Sequence, residues 1–218
     1  MNLLKRAFPH VLLILICVTV GFIIASIIFA ATGSSLFRRT PGKTVTSADL
    51  SNAELTSLAF GVLEYIRDGD YLAMSSIVHP DYGVVISPSA TVSLSTNRRF
   101  TAEQVALFEN DTNVYFWGVQ DGSGEPIEIS PAAYFDEYIL SKDYSSAPLI
   151  GVNKIVRSGN ALENIEEEFP GVKYVDFHIP GVERDNPDEL DWSSVRIGFE
   201  DHEGLLWLTV IISSRWTT

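Results

Sequence analysis

Apolar positions change rhythm along the chain, and each change marks an element. Residues 11–31 show no rhythm at all: they form a 21-residue apolar run without a formal charge, VLLILICVTVGFIIASIIFAA. A bilayer core is crossed by about 20 apolar residues in one helix, so this run predicts a single transmembrane helix. Beyond it the pattern becomes amphipathic. Leu55, Leu58, Ala59, Val62, Leu63 and Ile66 share one helical face, as the i, i+3, i+4 spacing requires. Ser51 or Asp49 is placed to cap this helix, and Asp68-Gly69-Asp70 stops it. A short second helix is expected over 71–77, before His79-Pro80.

Shorter runs follow. Residues 83–87 and 90–94 read as strands separated by Pro88. Thr101 caps a helix at 102–108, with Glu103 and Gln104 in its first turn. Residues 114–119 read as a strand, 121–124 as a tight turn, and 126–129 as a further apolar segment. Ser130-Pro131 opens a helix to about residue 140, since proline is well suited to a first helical position. Strands are expected at 149–157, 172–179, 194–200 and 206–213, with a helix or turn at 161–169 and a hairpin turn at 201–204. Helices first and a strand meander last predict an α+β domain with an antiparallel sheet.

This order, with the Gly69-Asp70-Tyr71 and His79-Pro80 pattern, resembles the nuclear-transport-factor-2-like fold. The resemblance implies a cone: a curved antiparallel sheet with helices packed against its concave side. Four segments, HPDYGVVISP (79–88), WGVQDGSGEPI (117–127), DWSSVRIGFE (191–200) and WLTVIISSRWT (207–217), are also similar to a group of uncharacterised exported or lipid-anchored proteins of Gram-positive bacteria. That likeness implies export and carries no activity. Members often hold a lipobox cysteine, whereas Cys17 is preceded by Leu15 and Ile16 and lies inside the apolar run.

Charge sharpens the division. Residues 1–43 hold five basic and no acidic residues; residues 44–218 hold 10 basic and 28 acidic, a net of −18. So acidic a head repels nucleic acid. The chain therefore reads as a tail (1–10), a transmembrane helix (11–31), a linker rich in Thr, Ser and Gly (32–50) and a head (51–218). The apolar run exceeds the roughly 7 to 15 residues of a signal-peptide core, and Ile28-Phe29-Ala30-Ala31 makes a poor cleavage site. Lys5 and Arg6 before the run nearly balance Arg38, Arg39 and Lys43 after it. A short tail, one helix and a long domain is the plan of a signal anchor, which places the head outside the cytoplasm. With no cysteine after Cys17 the head has no internal disulfide and depends on its core.

Candidate chemistry is sparse. The head's histidines, His79, His178 and His202, are scattered singly, without an HExxH motif or a cysteine pair, so neither a metal nor a cofactor is expected. Asp121-Gly122-Ser123-Gly124-Glu125 lacks the ligand spacing of an EF-hand and reads as a turn. The serines lack a GxSxG context. Asp121, Asp176 and Asp191 are carboxylates that could work with His79 or His178 as acid and base. Trp192 and Arg196 share a strand face, which suggests a structural ion pair or an anion contact. His79, Trp117, Asp121, His178 and Arg196 are thus the ligand-binding candidates. The expected function is that of a membrane-anchored extracytoplasmic domain that binds a small molecule, a cell-wall component or a partner protein without catalysis. The alternative is a small pocket hydrolase or isomerase with His79 or His178 as general base.

Overall fold

Helix α1, Asn52–Arg67, forms where the apolar stripe predicts it. Ser51 Oγ accepts from the Glu54 amide at 3.3 Å, and the Glu54 carboxylate accepts from the Ser51 amide at 3.1 Å. This reciprocal box satisfies donors that the helix cannot satisfy internally. The buried face is Leu55, Ala59, Val62, Leu63 and Ile66, and Leu50 packs against the same core. The computed structural model describes residues 50–120, 123–181 and 191–215.

Asp70 accepts from the Ala73 amide and opens α2, Tyr71–Ser75. The chain then runs through β1 (Val84–Ser87), β2 (Arg98–Phe100) and α3 (Ala102–Val105) to the hairpin of β3 (Tyr115–Val119) and β4 (Pro126–Ile129). Helix α4, Pro131–Tyr134, widens into a π-helical turn at Phe135–Ile139, and a 3-10 turn follows at Tyr144–Ser146. The remainder is β5 (Leu149–Val152), α5 (Ile165–Glu168), β6 (Lys173–Ile179), β7 (Ser193–His202) and β8 (Leu205–Arg215).

Six strands form one sheet in the order β2-β1-β8-β7-β6-β5, and β3 and β4 form a separate two-stranded sheet. The hairpin of β7 and β8 occupies the middle and turns at Glu203 and Gly204, both at positive φ. Val195, Ile197 and Phe199 point into the larger core with Leu55, Val62 and Trp117. Arg196 and Gly198 alternate to the opposite face. There Tyr174, Val85, Val210 and Ile212 meet Ile165, Phe169 and Val172 in a second core.

These features correct the expected cone. The six-stranded sheet is mixed, because β1 runs parallel to β8 with Val85 opposite Val210 and Ile86 opposite Ile211. The pairing begins earlier, where the Leu208 amide donates to the Ile77 carbonyl at 2.7 Å and the His79 amide donates to the Leu208 carbonyl at 3.0 Å. Both faces of β7 are buried, so the sheet is a middle layer rather than a curved sheet with one helical side. Residues 90–94 form no strand, and β2 supplies the edge instead. Gly83 enables that edge: its φ is +73°, and a Cβ there would lie 2.2 Å from the Phe100 carbonyl oxygen. Only glycine fits so close an approach.

The expected transmembrane helix at 11–31, with the tail and nearly all of the linker, lies outside the described residues. Among the described residues no helix is long and apolar enough to cross a membrane. The longest of them is α1, with 16 residues. At 1.5 Å per residue such a helix reaches about 24 Å, short of a bilayer core of roughly 30 Å, and its second face is polar. The structure therefore does not support a signal anchor, a single-pass topology, a membrane partner or an extracytoplasmic location. It supports an α+β domain.

Candidate functional site

His79 sits in the turn before β1, buried at 2% exposure. Its Nδ1 accepts from the Asp81 amide at 3.2 Å and from the Tyr82 amide at 3.1 Å. The ring lies 4.9 Å from that of His202, whose Nε2 is 3.6 Å from Asp81 Oδ2. Burial first, and His202 second, lower the His79 pKa, against a small opposing effect of Asp81. An Nδ1 that accepts two amides must be unprotonated, so this histidine closes a turn. His202, at the end of β7, is its neighbour.

His178 lies elsewhere. It pairs across strands with Ser194, whereas the His79 segment meets β8 at Leu208, opposite Phe199. Five residues of strand separate these rows, roughly 16 Å, so the two histidines do not converge. His178 Nδ1 is 2.9 Å from Ser194 Oγ, and its ring is 5.7 Å from that of Trp192. Burial lowers its pKa to about 4, helped by the positive charges of Arg157, Lys142 and Arg196. A buried imidazole of such low basicity beside a serine with 0% exposure is not set up as a general base. The pocket-enzyme alternative is corrected on the same ground.

The titration of His178 has a measurable consequence. An unfolded histidine protonates near pH 6.5, whereas the folded ring resists protonation down to about 4. Between these values the unfolded chain binds a proton that the folded chain does not, so acidification destabilises the fold. Above about pH 6.5 the contribution is flat. His178→Gln is expected to reduce the stability lost between pH 7 and pH 4.5, measured by urea denaturation at both values. Equal losses in the two proteins would overturn this assignment.

Arg196 is fully buried on the second face of the sheet. Its guanidinium bonds Glu163 through both terminal nitrogens, the Nη2 bond measuring 2.9 Å, and Nε lies 3.3 Å from Asp176 Oδ1. Asp176 is directly opposite in the β6–β7 register. Its other oxygen accepts from the Val156 amide at 2.8 Å. Burial raises the Asp176 pKa, although Arg196 and the Val156 amide pull it down. The carboxylates therefore come from Asp176 and Glu163, and the trio fastens the 153–164 segment over the sheet. A charge amid the apolar residues of β6, KYVDFHI, was the signal for Asp176. Glu163 gave none.

Trp117 is a core residue. It is fully buried, its Nε1 donates to the Ile129 carbonyl at 2.9 Å, and its ring stacks on Tyr134 at 4.0 Å. Asp121 lies outside the described residues. Of the five expected ligand contacts four are described: His178 and Arg196 lie on one sheet face, two register positions apart, whereas His79 and Trp117 occupy two other buried environments.

An accessible concavity is found where no candidate was expected. A cleft of about 250 Å³ is lined by Leu63, Arg67, Leu140, Lys142, Asp143, Tyr144 and Ser145. Helix α1 supplies one wall with its last turns, and the chain after the π-helical turn supplies the other. Asp143 caps the 3-10 turn: its carboxylate accepts from the Ser145 amide at 3.1 Å, from the Ser146 hydroxyl at 2.9 Å, and from the Ser145 hydroxyl. The hydroxyls of Ser145 and Ser146 lower its pKa. Arg67 Nε donates to Asp68 Oδ1 at 2.9 Å, and Lys142 Nζ donates to the Asp191 carbonyl at 2.5 Å. The floor of Leu63, Leu140 and Tyr144 is apolar.

Together these features define an α+β domain with a mixed sheet between two cores and a cleft at the end of its first helix. Comparison with family models, with curated proteins and with solved structures found no match.

Proposed function

We propose that this domain binds a small molecule in the cleft between α1 and residues 140–145. The observation that carries the reading is an apolar floor open to solvent beside polar groups that can orient a ligand. The buried histidine and arginine environments are closed to solvent and offer no comparable access. No location or anchor is part of this reading.

The test uses 1-hexanol as probe, titrated into the full chain while methyl NMR signals are followed. Saturable shifts are expected at Leu63 and Leu140. Leu140→Trp is expected to abolish them, because Leu140 is only partly buried and a larger ring there fills the cleft. Absence of saturation in the wild-type protein, or unchanged binding in the variant, would overturn the proposal.

A further inference from the structure

We infer that the cleft selects a carboxylate on a short apolar body, an inference that rests on the cleft being a binding site. Each wall brings one cation to the rim: Arg67 from the last turn of α1, and Lys142 from the opposing segment. Both keep donors in reserve. Arg67 bonds Asp68 through Nε alone among the described residues, which leaves the two terminal nitrogens of its fork. Lys142 gives one of its three ammonium hydrogens to the Asp191 carbonyl.

Two of the nearby carboxylates are committed. Asp143 accepts three bonds from its own turn, and Asp68 is engaged with Arg67. Glu64 and Asp143 also act on Arg67 electrostatically, so the surroundings of the two cations are already acidic. Such surroundings suit one added negative charge better than two, which favours a carboxylate over a phosphate dianion. The floor of Leu63, Leu140 and Tyr144 then receives the apolar body.

Hexanoate, 1-hexanol and hexylammonium, titrated separately into the full chain at low salt, separate the possibilities. Hexanoate is expected to bind up to about fivefold more tightly than 1-hexanol, and hexylammonium most weakly, since a contact with a positive side chain at an exposed rim is worth up to about 1 kcal/mol. Lys142→Gln and Arg67→Gln are each expected to reduce the ratio of hexanoate affinity to 1-hexanol affinity. The preference should also decline as salt is added. Equal binding of hexanoate and 1-hexanol, with shifts at the same methyl groups, would overturn the anion inference and leave the cleft reading intact. Failure of all three probes would overturn both.

Discussion

Replacing Arg196 by alanine is expected to destabilise the domain by about 3 to 5 kcal/mol. The guanidinium has no solvent exposure and lies between Glu163 and Asp176. Its removal leaves the Asp176 carboxylate fully buried with the Val156 amide as its remaining partner. Breaking one side of a buried pair costs this much because the remaining charge is uncompensated. An exposed pair would contribute only about 0.2 to 1 kcal/mol. Urea denaturation of the full chain at pH 7 measures the difference, and a loss under about 1 kcal/mol would show that the trio behaves as a surface pair. Acidification adds a second readout. Burial already raises the Asp176 pKa, and without Arg196 it rises further. A folded pKa above the unfolded value means that the folded state takes up the proton first, so acidification relieves part of the penalty. The gap between variant and wild type should therefore narrow as pH falls from 7 towards the usual carboxylate range.

Trp117→Ala should cost about 3 to 5 kcal/mol, the range for deleting a large buried aromatic side chain. The indole is the first member of a stack that continues through Tyr134 and Tyr138, where ring centroids are 4.9 Å apart, to the Arg215 guanidinium 4.2 Å from the Tyr138 centroid. Phe100 and Tyr115 close around the same ring. Truncation opens a cavity and also removes the indole hydrogen bond to the Ile129 carbonyl. Trp117→Phe keeps most of the apolar volume and should cost less. Because Trp117 is a packing residue, Trp117→Phe is expected to leave the 1-hexanol titration of the cleft unchanged. Loss of cleft binding without loss of stability in Trp117→Phe would show that the indole contacts ligand after all.

Local order was legible in the residues themselves. The stripe and Ser51 cap of α1, the Thr101 cap of α3 and the Pro131 start of α4 all follow from contacts within a few positions. The β7–β8 hairpin was legible for the same reason, as was the inward face of Val195, Ile197 and Phe199. Charge and cysteine content, and the absence of a shared motif around His79 and His178, were also matters of sequence alone.

What the tertiary structure decided were pairings between distant positions. Periodicity reports that a segment is a strand and which residues share a face, but not the strand's direction or its neighbour. Hence the parallel pairing of β1 with β8, which joins Val85 to Val210, was hidden, and an antiparallel cone was expected instead. A buried charge announces that it needs a partner without naming it. Arg196 found Asp176 across the sheet and Glu163 from an irregular segment, because those carboxylates share its closed face. The cleft was hidden for the same physical reason. Leu63 and Lys142 belong to elements that meet only when the chain is folded, and the space between them is a property of neither segment alone.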